Sequence, residues 1–168
     1  MKHTNLSVKD ITSIAVIAVL YVVLSVALPA VSYGPIQFRL SELLNFVIIP
    51  QRKYAVGVII GVFLANFFSP FALDIFFGTA HTGISFLVCL VLFKFIKQKP
   101  WQYVIVTAVF SSFIWIIAYE LALLDNDFSI FWQLYGTLFV SELCVLTISA
   151  PIMYTVDKQL RRSKLVME

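Results

Sequence analysis

In the stretch GPIQFRLSELLN, residues 34–45, an arginine stands three residues before a glutamate and six before an asparagine, in a chain that is 61% hydrophobic and 12% charged. That spacing places Arg39 and Glu42 on one face of a helix, with Asn45 one turn further along the same face. More polar groups stand in apolar surroundings: Asn66, Asp74 in SPFALDIFFG, His81, Tyr119 beside Glu120, and Glu142. Trp115, one turn before Tyr119, offers a flat face for stacking. One guanidinium, several carboxylates, amides and aromatic faces suit a planar heterocycle with amide-like donors. A carboxylate accepts its paired N–H groups, Arg39 or Asn45 donates to its carbonyl, and aromatic rings sandwich its plane. The excess of carboxylates favours a cationic or donor-rich ligand over an acidic one.

Each residue also has a plainer reading. Arg39 and Glu42 could form a salt bridge closing one end of a bundle, Asp74 could cap the helix after it, His81 could be a satisfied buried imidazole, and Asp125 with Asp127 could be a solvated turn. Glu142 has the weakest such reading, because about ten residues of helix, or about 15 Å, separate it from the start of its segment, where water is scarce without a cavity.

The elements that must position these groups are membrane helices. At 168 residues the chain is one domain, residues 1–168, and its mean hydropathy of +0.95 lies far from the soluble average. Apolar runs bounded by charges or turn residues fall at 11–31, 41–50, 54–69, 78–96, 101–123 and 131–156. Since about 20 apolar residues cross a bilayer, the expected architecture is an all-α integral membrane protein with six transmembrane helices. The first run lacks a small-residue cleavage pattern and is expected to be retained. Lys2, Lys9, Arg52, Lys53, Lys94, Lys97, Lys99, Lys158, Arg161, Arg162 and Lys164 all fall on one side of this arrangement, which puts both termini in the cytoplasm; Arg39 is the exception. Phe128, Phe131, Trp132 and Tyr135 would ring the outer boundary and Trp101, Tyr103 and Tyr154 the inner one. The run 41–50 is too short to span as an α-helix, so it either starts near Gln37 or re-enters, and irregular backbone at that depth implies a covering cavity.

Gly57, Gly61, Ala65 and Ser69 recur every four residues, which reads as a close helix–helix contact without naming the partner. Ser13, Ala15, Ala18 and Ser25 form a second small-residue patch, facing either a neighbouring helix or another chain. Cys89 and Cys144 sit in apolar runs without CxxC spacing and read as small hydrophobes. No phosphate loop, HExxH, Cys/His cluster or GxSxG occurs, so metal, nucleophilic and ATP-hydrolysing chemistry have no motif here. The basic excess of +3 is used for membrane orientation rather than nucleic acid. A binding or transport subunit that needs partners is the favoured class. An intramembrane enzyme using Glu120 and Glu142 as acid and base, and an assembly protein whose outer charges only lock helices, are the alternatives.

The order of a first helix, the loop YGPIQFRLSELLNF, the stretch LANFFSPFALDIFFGT and a basic end resembles the QueT family, the queuosine-precursor S components of energy-coupling factor (ECF) transporters. The likeness covers nearly the whole chain and is most specific in FRxSExLN, 38–45, and NxFSPFxxxDxxFG, 66–78. It implies a six-helix fold with ligand held near the outer surface under the first outer loop, in a bacterial plasma membrane. It further implies partnership with a transmembrane coupling subunit and two cytoplasmic ATPases that use ATP, with no cofactor in this chain. The implied ligand is a 7-deazaguanine, such as the 7-aminomethyl form or queuine; an S component for another vitamin is the nearest alternative. Carried onto matching positions, the site comprises Arg39, Glu42, Asn45, Asn66 and Asp74, to which depth and charge add His81, Trp115, Tyr119, Glu120 and Glu142. Many S components dock their coupling subunit through AxxxA in the first helix, whereas Ala15 and Ala18 here are three apart.

Overall fold

In hydrocarbon every backbone N–H and C=O must bond within the protein, so each apolar run is expected to coil into a helix. The computed structural model describes residues 7–27, 29–33 and 37–162; Gly34, Pro35 and Ile36 of the first outer loop lie outside them, as do Lys2, Lys164 and Glu168. Helix α1, Val8–Ala27, begins in a reciprocal cap: the Ser7 hydroxyl accepts the Asp10 N–H at 3.2 Å, and the Asp10 carboxylate accepts the Ser7 N–H at 3.3 Å. One turn, α2 (Pro29–Ser32), precedes a 3-10 helix, Leu40–Ile48; then come α3 (Ala55–Ala65), α4 (Asp74–Phe95), α5 (Lys99–Phe113), α6 (Trp115–Leu124) and α7 (Phe131–Arg162). The described residues contain no strand. Four stretches are long and apolar enough to cross a membrane: Val8–Ala27, Asp74–Phe95, Lys99–Leu124 and Phe128–Leu160. With the shorter second and third segments they make six helical segments in the expected order, in a multi-pass membrane protein.

The second segment is the least regular. It is a nine-residue 3-10 helix starting at Leu40, not at Gln37, and at about 2 Å per residue it rises about 18 Å, short of a bilayer. In a three-residue turn, positions three apart eclipse, so Arg39, Glu42, Asn45 and Ile48 stack along one edge. Its outer end is fixed by Arg39, whose Nε donates to the Ser32 carbonyl at 2.8 Å, just past α1. Beyond its inner end, Lys53 pairs with Asp10 in the first turn of α1. The stretch from Arg39 to Lys53 therefore returns along the full length of α1. Its backbone is tolerated because α1, α3, α5 and α7 surround it, leaving Glu42, Asn45, Phe46 and Ile48 buried.

Two further features set the frame. The partner of the small-residue face on α3 is α1: a Cβ at Gly57 would lie 2.7 Å from the Ile14 carbonyl, and one at Gly61 2.6 Å from the Tyr21 Cβ. The fifth run, expected as one helix, breaks at Ile114 into α5 and α6, directly after the Ser111–Ser112 pair. Tyr135 on α7 donates to the Ser112 carbonyl at 3.3 Å, satisfying a group at the break. The larger apolar core, built around Phe46, Ile48, Val58, Val62, Phe86, Phe93, Val106 and Phe110, is distinct from a smaller one around Ile117, Ala118, Leu121 and Leu138 on α6 and α7.

Candidate functional site

Polar side chains from α1, the 3-10 helix Leu40–Ile48, α4, α5, α6 and α7 gather around Arg39, in two tiers. The upper tier is set by the start of α4 and the outer part of α6. Asp74, first residue of α4, lies with its Oδ2 3.6 Å from an Arg39 guanidinium nitrogen and accepts the Ser69 hydroxyl on the same oxygen. The Arg39 guanidinium also lies over the Tyr33 ring, 5.1 Å from its centroid, a cation–π contact, while the Tyr33 hydroxyl donates to the Ala65 carbonyl at 2.8 Å. Asn66 donates to the Asp74 carbonyl at 2.7 Å, and the missing side chain of Gly78 makes the room its amide occupies. Glu120 on α6, fully buried, lies against Asp74 and within the field of Arg39.

The lower tier lies one to two turns deeper. Glu42 accepts the Tyr21 hydroxyl from α1 at 2.6 Å and the Asn45 amide from its own 3-10 edge. Glu142, in the interior of α7, interacts with Glu42 and Arg39. His81, seven residues into α4, holds its Nε2 3.1 Å from the Phe110 carbonyl and its ring edge-on to Phe110. It shares the field of Glu42 and Arg39. Ser85, one turn below His81, and Ser111 on α5 complete the lining as buried hydroxyls.

Arg39, Glu42, Asn45, Asn66, Asp74, His81, Glu120 and Glu142 are thus all buried, none more than 7% exposed. The structure brings these eight together. Trp115 and Tyr119 are not brought in: they are 46% and 42% exposed on the outer face of α6, and Tyr119 packs against Phe77 and Phe128. An α-helix that turns Glu120 inward necessarily turns its neighbour Tyr119 away. Glu120 and Glu142, the acid and base of the enzymatic alternative, are not paired with each other; each faces a different carboxylate, Asp74 and Glu42. Sequence reasoning missed Tyr21, Tyr33, Ser69, Ser85 and Ser111. The four-residue spacing of His81 and Ser85 signals the last turn of the site, whereas the tyrosines carry no signal until α1 is packed.

The cluster is incompletely satisfied from within. Among the described residues, an Arg39 terminal nitrogen, Asn45 Oδ1, Glu142 Oε1 and the Ser85 and Ser111 hydroxyls have no hydrogen-bond partner, and the Glu120 carboxyl meets only the Asp74 side chain. A buried polar group left unmet costs about 1–3 kcal/mol, and a charged one more. Four carboxyl groups gather around one guanidinium. The unmet acceptors are of the kind that a donor-rich partner would satisfy. No three His, Cys, Asp or Glu side chains among the described residues are disposed to hold a metal ion.

The small-residue patch on α1 divides. Ala18 is buried under Gly61, and Ser25 is buried with its hydroxyl donating to that of Ser41 at 2.7 Å, so both serve internal packing. Ala15 lies on the exposed stripe with Ile11, Val16, Val19 and Val23.

Comparison with known proteins places the chain in a family. A curated relative from Lactococcus lactis subsp. cremoris (strain MG1363), described as a queuosine precursor transporter QueT, is 35% identical over 165 residues, covering 92% of this chain and 96% of its own. No solved structure matches the chain. The profile of the QueT transporter family matches residues 11–158, almost the entire set of helices that build the two tiers, and the chain belongs to that transporter family rather than to any enzyme class.

Proposed function

We propose that this chain is the substrate-binding S component of an ECF importer and takes up a queuosine precursor of the 7-deazaguanine class. The observation that carries the reading is the buried cluster in which Arg39, Asn45 and Glu142 keep polar atoms without a hydrogen-bond partner, beside Glu42, Asp74 and Glu120. A 7-deazaguanine brings adjacent ring N–H and amino donors, a carbonyl acceptor and a flat apolar face. Free carboxylate oxygens accept the donors, and the guanidinium of Arg39 donates to the carbonyl. The name of the Lactococcus relative supports the same ligand class.

Energy comes from elsewhere. The chain carries no nucleotide-binding motif, so a transmembrane coupling subunit and two cytoplasmic ATPases supply ATP-driven release, in the plasma membrane of a bacterium. The exposed stripe of α1 that includes Ala15 is available to the coupling subunit; Ala18 is committed to α3. Thermal-shift measurements on the purified subunit against 7-deazaguanines, thiamin, riboflavin and biotin test the reading. Selective stabilisation by a deazaguanine, lost in a folded Arg39→Ala protein, is expected; stabilisation by one of the vitamins instead reassigns the substrate.

A further inference from the structure

At the end of the bundle opposite Asp74, where the basic residues collect, α4 gives way to α5 through KFIKQKPWQY, residues 94–103, which hold three lysines and no acidic residue. The surface there is clefted. One cleft of about 320 Å³ is lined by Phe95, Ile96, Lys97, Gln98 and Trp101, with Phe95 79% and Trp101 57% exposed. On the neighbouring face of α5, a groove of about 290 Å³ is bounded by Pro100, Tyr103, Pro151 and Tyr154. It continues between α5 and α7 past Ala108, Thr147 and Leu143.

Charge and apolar surface are divided between the two. Lys94 and Lys97 are exposed, and Lys97 spends only one of its N–H donors, on the Phe93 carbonyl at 3.2 Å. Lys99 lies 3.8 Å from Asp157 on α7, but exposed Lys158 follows Asp157, so the charge around the cleft stays positive. The groove, by contrast, is lined by no charged side chain. From Leu143 to Tyr154, at about 1.5 Å per residue, α7 rises about 16 Å, close to half of a hydrocarbon core about 30 Å thick. A basic mouth opening onto an apolar groove one leaflet deep matches an amphiphile with an anionic head and a hydrocarbon tail. A soluble anion would leave the groove unused, and a neutral lipid would leave the lysines without a counter-charge.

We infer that the α4–α5 turn and the α5–α7 groove together seat an anionic phospholipid of the inner leaflet. Its phosphate lies among Lys94, Lys97 and Lys99 at the depth of Trp101, and one acyl chain lies along the groove. Lysine suits this position because its stem runs along apolar surface while its ammonium reaches the headgroup layer. The seat does not depend on the substrate proposed above, and it is built on different helices from the exposed stripe of α1: α5 packs on α4 and α7, whereas α1 packs on α3.

The test is thermal unfolding of the purified full-length protein in detergent, with equal mole fractions of phosphatidylglycerol or phosphatidylcholine of the same acyl chains, and with glycerol 3-phosphate as the headgroup alone. At about tenfold excess over Kd, phosphatidylglycerol is expected to raise Tm by about 3–6 °C more than phosphatidylcholine does, and glycerol 3-phosphate is expected to leave Tm unchanged. Combining Lys94→Gln with Lys97→Gln should cut the difference between the lipids to below about 1 °C. Arg52→Gln, which removes an equally exposed charge in the turn before α3, should keep it. Equal shifts with the two lipids overturn the inference. A loss in Arg52→Gln as large as in the lysine variant also overturns it, since attraction would then belong to the basic surface at large. A shift reproduced by glycerol 3-phosphate overturns it as well, leaving a phosphate site without a lipid. If the double variant does not fold, Lys97→Gln alone takes its place.

Discussion

The seam between α1 and α3 and the two-tiered polar cluster meet at Tyr21 and are opposite in character. At the seam everything is filled: Gly57 and Gly61 leave no space for even a methyl group, and Ala18, Val58, Val62 and Ala65 are buried against their neighbours. In the cluster much is unmet, with polar atoms on Arg39, Asn45, Ser85, Ser111 and Glu142 buried and without a hydrogen-bond partner. Both lie inside one small membrane bundle, so burial alone does not distinguish structure from function. Satisfaction does. Helices in lipid gain little from hydrophobicity and associate through close packing, which the seam supplies; a region that buries polar groups without meeting them must be held in shape by a region such as this one.

The largest effect that would separate the two regions comes from Gly61→Leu. A Cβ there meets the Tyr21 Cβ at 2.6 Å and the Ala18 carbonyl at 3.0 Å, backbone and side-chain root that cannot swing aside. The expected loss is about 3 kcal/mol or more, read as a collapsed thermal transition in detergent, together with ligand binding. A protein that melts normally would mean the seam is not close-packed.

Tyr21→Phe probes the junction. It leaves the seam's apolar contacts in place and removes the 2.6 Å hydrogen bond to Glu42, leaving a buried carboxylate oxygen unmet. A destabilisation of about 1–3 kcal/mol is expected in chemical or thermal unfolding. It should be accompanied by weaker ligand binding, because Glu42 orients Asn45. Unchanged affinity would detach Glu42 from the site.

The smallest effect on stability is expected from Gly78→Ala. The new methyl meets the Asn66 amide, the free end of a side chain that can rotate, and alanine favours the helix over glycine by about 1 kcal/mol. The melting temperature should therefore hold or rise slightly. Asn66, however, is displaced from the Asp74 carbonyl, so calorimetry should show ligand affinity reduced by roughly three- to tenfold, the value of one neutral hydrogen bond. A loss of stability with intact affinity would place Asn66 in the frame and not in the site.

Much of the architecture is legible in the residues because hydrocarbon imposes simple rules. Long apolar runs mark the spans, charge asymmetry marks their ends, and Arg39, Glu42 and Asp74 identify themselves by being costly where they stand. The four-residue spacing of Gly57, Gly61 and Ala65 shows a close contact in advance but not its partner, since periodicity describes one helix surface and says nothing of what faces it. The aromatic residues mislead for the same reason. Trp115 and Tyr119 have the right depth, but depth fixes one coordinate only; the rotation of α6 that buries Glu120 sends them outward.

What the sequence determined by itself is the membrane solvent, the number and order of the segments, and the level at which polar groups gather, all of which follow from transfer energies of individual residues. What only the tertiary structure decided is which groups satisfy one another. It set a 3-10 edge that aligns Arg39, Glu42 and Asn45, matched Tyr21 to Glu42, and put Glu120 against Asp74. Hydrogen bonds act over about 3 Å between residues tens of positions apart, and no local pattern in the chain records that distance.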